Sequence, residues 1–274
     1  GIKVSGMRFV QATMDDSTAL KPVLERAQYL VHLAWDTTPG TSQLQPTLEA
    51  NNNLLPTLRL LEQMQSFPYC RMVFVSTGGA IYSDLSATPW SEDAILAPSS
   101  YYGAGKLAIE SMLSAYHAQT GNAVIVLRPS NIYGPGQESK RQFAVVPTLI
   151  QCLRDHRAFE IWGDGKQTRS FLYVDECIEG TLRLMRSDFR EPVNIGSDEM
   201  VSINQLAQII MQVAGKRVRL RHVPGPLGVA GRNSDNRLIR RVLGWRPSAT
   251  LRDGMAKTYP WVEQQALGRT QAAG

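Results

Sequence analysis

Four stretches of the chain are apolar almost without a break: MRFVQA (7–12), YLVHLA (29–34), RMVFVS (71–76) and AVIVLRP (123–129). Each is short and rich in branched or aromatic residues, which predicts strands buried on both faces. Between them, apolar positions recur at helical spacing over 16–27, roughly 46–65 and 100–118. Strand and helix in alternation predict a parallel sheet covered on both faces. Such sheets bind ligands beyond the carboxyl ends of their strands. HLAW, STGG and RPSNIYGPG, each following a strand, mark that rim.

After about residue 130 the pattern changes. A Gly/Pro-rich loop leads into a helix near 144–155, and FEIWGDGKQTRSFLYV predicts two short strands around an Asp-Gly turn. A helix near 175–187, a VNIG strand and a helix near 202–214 follow, and LGWRP marks a late turn. The expected organisation is a first domain over 1–130 and a smaller lobe over 131–274, with a segment of about 170–196 returning to the first.

Composition narrows the classes. At 43% hydrophobic and 19% charged residues, the chain is that of a folded globular protein rather than a disordered one. It has no run long and apolar enough for a membrane span and no readable leader. Cys70, Cys152 and Cys177 are widely spaced, which suits reduced thiols and a cytoplasmic setting, and the scattered histidines suggest no metal site. The net charge of +5 is arginine-weighted toward the C-terminal third. Without a basic stripe, this excess points to a small phosphorylated ligand rather than a nucleic acid.

The candidate chemistry centres on SSYYGAGKLAIE (99–110). In a helix, Tyr102 and Lys106 share one face at i and i+4, and a cation beside a phenol favours the phenolate. Tyr102 then becomes a candidate acid/base. Ser76 and Thr77 at the end of strand 71–76 are candidate hydroxyl partners, or alternatively a strand cap before a glycine turn.

HLA after a strand, STGG-AIY after the next, YxxxK on the following helix, then LRPSNIYGPG and GDGKQTRSFLYVD occur in one order. This arrangement resembles the extended short-chain dehydrogenase/reductase family, its sugar-nucleotide epimerase/dehydratase branch, from about residue 7 to 261. The resemblance implies an α/β fold: a Rossmann-type doubly wound parallel sheet, its first βαβ unit missing, with a smaller α/β substrate-binding lobe. It implies NAD as cofactor, with NADP open, and a nucleotide-diphosphate sugar as substrate. Tyr102 is then the acid/base and Lys106 its pKa-lowering partner and a ribose ligand. Leu33 and Ala34 pass along the dinucleotide, Asn53 lies on the cofactor side, and Pro129 lies against the nicotinamide. On the substrate side stand Asn131, Arg169, Arg232 with Asp235, and Trp162 under a nucleotide base. Asn53 also reads as a helix-start polar residue, and Trp162 as a core anchor.

Four departures accompany the resemblance. The family's opening G-x-x-G-x-x-G turn is absent, and Gly225-Gly228-Gly231 does not open a βαβ unit. Thr13 stands where an aspartate near the adenine is usual, with Asp16 at the second acidic position. Gly78 occupies the usual place of the catalytic hydroxyl, which displaces that role to Ser76 or Thr77, and Ser170 follows Arg169 where Asp is common. These features suggest a fold-preserved, incomplete chain that binds NAD weakly or not at all. The leading expectation is a UDP-glucose/galactose 4-epimerase-like enzyme working through a 4-keto intermediate. A dehydratase, a reductase and an inactive scaffold that binds nucleotide-sugar are the alternatives. Gly78-Gly79 replaces the acidic pair of the dehydratases. Helices 46–65 and 100–118 resemble those of a family homodimer, although Leu54, Leu55, Leu58, Leu61, Met112 and Leu113 also read as core.

Overall fold

In a computed structural model of the chain, residues 6–84, 88–137, 144–225 and 231–271 are described. Their contacts cluster into two units: Gly1–Ser76 with Leu96–Val126, and Thr77–Ile95 with Leu127–Gly274.

In the first unit, α1 (Ser17–Leu24) precedes β1 (Tyr29–His32), and a short α2 (Pro39–Leu44) leads into a π-helical turn, Glu49–Leu54, that continues as α3 (Leu55–Met64). β2 (Arg71–Val75) pairs with β1 in parallel, Tyr29 opposite Arg71 and His32 opposite Phe74. The long α4 (Tyr101–Thr120) starts at Ser100, whose hydroxyl accepts from Gly103 N, and ends at the left-handed Gly121. Leu60, Leu61, Met64, Met72, Phe74, Ile109 and Leu113 form the apolar core between strands and helices. Leu61 and Leu113 are therefore core residues, whereas Leu55 is 43% exposed.

β3 (Val124–Pro129) is buried along its whole length. In the second unit its end pairs in parallel with β7 (Val193–Ile195). β4 (Asn131–Tyr133) pairs in parallel with β6 (Thr168–Tyr173), which also takes β10 (Gly231–Arg232) in parallel and β8 (Met200–Ser202) antiparallel. β5 (Phe159–Trp162) pairs in parallel with β9 (Leu220–Val223). Helices α5 (Val145–Arg154), α6 (Val174–Met185), α7 (Ile203–Ala214), α8 (Arg237–Leu243) and α9 (Leu251–Gln271) complete the unit. Leu149, Leu153, Ile161, Leu206, Ile210 and Met255 are central to its core.

One sequence expectation is corrected. MRFVQA forms no strand: Met7 and Phe9 are exposed, and no described residue takes its backbone hydrogen bonds. The strands flanking the Asp-Gly turn both form, yet they do not pair with each other. Asn204, at the start of α7, donates to Asp164 O and packs on Gly165, so the turn is held by that helix while each strand joins a different sheet. α9 was not foreseen, because Gly254 and Pro260 interrupt a weakly amphipathic sequence.

Candidate active site

In the first unit, Tyr102 and Lys106 lie one helical turn apart near the start of α4, with the Lys106 ammonium 5.9 Å from the centre of the Tyr102 ring. Lys106 is 5% exposed. Its Nζ donates to Val75 O at 2.8 Å and sits 3.8 Å from the centre of the Trp35 ring and 4.9 Å from that of Phe74. Trp35 also meets Tyr102 edge-on, at 6.4 Å and 85°. Tyr102 is partly exposed, and its backbone N–H donates to the buried Ser42 hydroxyl, which fastens α4 to α2.

Burial governs the electrostatics here. It pushes the Lys106 pKa down to about 7 against the pull of the Glu49 and Glu110 carboxylates, which favour the ammonium. His32 falls to about 4, chiefly from burial and further from the Lys106 charge. Thr57 gives its single hydroxyl proton to Asn53 O, so His32 Nε2, 3.0 Å from Thr57 Oγ1, is the donor and Nδ1 the bare acceptor. A neutral imidazole is therefore locked beside the lysine.

The two carboxylates are organised by neutral donors. Glu49 accepts from the Thr37 hydroxyl at 2.5 Å and from Asn53 Nδ2 at 3.3 Å. It packs against Gly105 so closely that a β-carbon there would lie 2.4 Å from its Oε1. Glu110 accepts the hydroxyl proton of Ser76. Asn53 is fully buried: its Oδ1 accepts from Asp36 N, and its Nδ2 also reaches Thr37. Its position ties down the loop that follows Leu33 and Ala34, both of which are exposed. Ser76 is likewise buried and committed to Glu110.

In the second unit, Thr77 Oγ1 accepts from Gly79 N at 3.3 Å and keeps its own proton. Gly78 donates to the carbonyl of the buried Pro129 at 2.7 Å. A β-carbon at Gly78 would stand 2.6 Å from Ser234 Oγ and 2.8 Å from Arg128 O, so the absent side chain leaves a notch that Ser234 fills. Asn131 donates to Ser170 O, and the backbone of Arg169 lies in register with that of Arg232. These three positions therefore gather on neighbouring strands; the Arg232 side chain and Gly228 lie outside the described residues. Asp235 is engaged by Arg237 at 2.7 and 2.5 Å, and this hydrogen-bonded guanidinium holds its carboxyl below the usual range. Trp162 is 47% exposed and lines a cavity of about 710 Å³ with Thr148, Cys152, Phe159 and Gln167.

Trp35, Ser42, Glu49 and Glu110 are additions to the sequence reading. Glu110 left a signal in its i+4 spacing from Lys106, and Trp35 in its place in HLAW just past a strand.

A family model described as the NAD dependent epimerase/dehydratase family matches residues 2–196. A GDP-mannose 3,5-epimerase 1 of Oryza sativa subsp. japonica is 49% identical over 170 residues, which are 61% of this chain and 45% of that protein. The chain thus spans less than half the length of that relative. A UDP-glucose 4-epimerase of Mycolicibacterium smegmatis is 31% identical over 261 residues, 94% of this chain and 83% of that one. The crystal structure of UDP-glucose 4-epimerase with UDP-glucose from Thermotoga maritima superposes with a TM-score of 0.89 at 28% identity, covering 96% of this chain and 88% of that one. Its parallel strand pairs are thus those of a Rossmann-type fold, and the chain belongs to the NAD-dependent epimerase/dehydratase family.

Proposed function

We propose that the chain is a nucleotide-sugar 4-epimerase in which Tyr102 takes the proton from the sugar's C4 hydroxyl and returns it after the 4-keto sugar has turned over. The observation that carries this reading is the Tyr102–Lys106 pair: a partly exposed phenol beside an ammonium held in a dry aromatic cage. The residues fit the nicotinamide-ribose end of NAD, because Val75 takes only one of the three Lys106 N–H donors and Leu33 and Ala34 are exposed. When bound, NAD supplies the acceptor and donor of hydride. Lys106 stabilises the phenolate and offers its remaining donors to the ribose, and Pro129 backs the nicotinamide. With the Ser76 hydroxyl given to Glu110, Thr77 is the hydroxyl left for the proton path.

On the substrate side, Trp162 stacks the base, Asn131 and Arg169 hold the diphosphate with Arg232, and Asp235 orients its end of that grip through Arg237. The free thiols Cys70, Cys152 and Cys177 support a reducing cytoplasm. Exposed Leu55 supports pairing of two chains through the α3 and α4 region as a homodimer.

A second reading concerns the base and sugar. The 49% identity to the rice relative favours a GDP-linked substrate and epimerisation at other carbons. Incubation with NAD and either UDP-galactose or GDP-mannose, followed by separation of the epimers, decides between the two. Conversion of UDP-galactose to UDP-glucose supports the first, and altered GDP-hexose the second. Binding of either sugar nucleotide without turnover would identify an inactive scaffold. Turnover that survives Tyr102→Phe would remove the acid/base role.

A further inference from the structure

We propose that Trp35 is a positioning residue that clamps the Lys106 ammonium with the face of its indole and fixes Tyr102 with its edge. This rests on the reading of Tyr102 and Lys106 as the proton-transfer pair, but the clamp has its own geometry. Trp35 lies just past β1 in HLAW, and four aromatic rings gather near the lysine. His32 is 5.5 Å from Phe74, Trp35 is 5.9 Å from Phe74, and Tyr102 is 6.4 Å from Trp35. Lys106 Nζ comes nearest to the Trp35 face, at 3.8 Å. Indole is the strongest aromatic partner for a cation, and more so away from water.

Trp35 acts on Lys106 in two opposed ways. Its bulk excludes water, which disfavours the ammonium, while its π-face favours it. The other charged or titratable groups facing Lys106 are Glu49 from the π-helical turn, Glu110 and Tyr102 from α4, and His32 from β1. Both carboxylates favour the charged lysine, while its hydrogen bond among the described residues goes to the Val75 carbonyl. Orientation thus falls to the ring. Without the ring face, the flexible lysine stem has no other aromatic surface nearer than Phe74 to hold its head beneath Tyr102.

The test follows the Lys106 side chain by 13Cε and 15Nζ NMR against pH in the full chain, assigned by the signal lost in Lys106→Met. Trp35→Phe keeps a face, so its midpoint stays nearest to the native one. Trp35→Leu keeps the cover but removes the face, and its midpoint drops by about one unit. Trp35→Ala admits water and raises the midpoint toward that of ordinary lysine. Incorporating fluorinated tryptophan keeps the shape and thins the π-cloud, so the midpoint falls with each added fluorine even if a substitution variant fails to fold. Leu and Ala variants that titrate with the native chain, or a midpoint indifferent to fluorination, would overturn the clamp. Where turnover is present, the basic limb of kcat moves with the Lys106 midpoint while KM holds. An inactive chain whose midpoints shift as described keeps the clamp and loses only the catalytic reading.

Discussion

Tyr82 and Tyr102 each lie beside a cation, Arg128 in one unit and Lys106 in the other. Tyr82 is 2% exposed, donates to Asn194 Oδ1 at 2.7 Å and accepts from Arg128 Nη1 at 3.0 Å. Burial pushes its phenol up despite the guanidinium. Arginine stays charged at any working pH, so this pair is a fixed strut. Tyr102 is partly exposed, and its partner is an amine that changes charge near neutrality. On the proposed function, a phenol beside a cation is not enough for proton transfer. It must also reach a ligand, and the cation must be one that can titrate.

The strongest way to break this contrast is Tyr102→Phe. It should lower turnover by about 10²–10⁴-fold, read as kcat on the accepted sugar nucleotide, with the urea midpoint unmoved. Equal losses of activity and stability would make Tyr102 a strut as well.

Gly78→Thr, which restores a family-like hydroxyl, should destabilise the chain by about 1–3 kcal/mol or more, because its β-carbon meets Ser234 and the Arg128 carbonyl. Adding Ser234→Gly should recover part of that loss in urea unfolding. A stable single variant would mean that the notch yields freely.

Tyr82→Phe leaves Arg128 and Asn194 each short of a buried partner. It should cost about 1–3 kcal/mol of stability while the folded fraction keeps its kcat. Lost turnover in a stable protein would give Tyr82 a role in the chemistry.

The smallest effect is a slope. The folded Lys106 pKa is depressed, so between about 7 and its ordinary 10.5 the unfolded chain binds the extra proton and stability rises with pH. Unfolding at several pH values should show a gain of about 1.4 kcal/mol per unit from this group, absent in Lys106→Met. His32 acts in the same direction in a lower window, from about 4 to 6.5.

The sequence made the phenol beside Lys106 legible and hid the one beside Arg128. Tyr102 and Lys106 belong to one helix, so their spacing alone places them together. Tyr82 meets Asn194 across 112 positions, and no local pattern encodes that contact. The contacts of Trp35 and Glu49 with Lys106 were hidden for the same reason, since both reach it from other elements. The buried strands were readable because RMVFV and VIVLRP are apolar on both faces. MRFVQA carried the same signature but pairs with no strand among the described residues, and the π-helical turn at Glu49–Leu54 has no pattern distinct from an α-helix.

The parallel pairing of β5 with β9 has a consequence for synthesis. Phe159–Trp162 emerges from the ribosome about 60 residues ahead of Leu220–Val223, a wait of roughly 3–12 s at ordinary elongation rates. During that interval the strand bearing Trp162 has an open edge, its backbone partners not yet made. A nascent chain stalled before residue 220 should therefore be the species that chaperones hold and proteases cut.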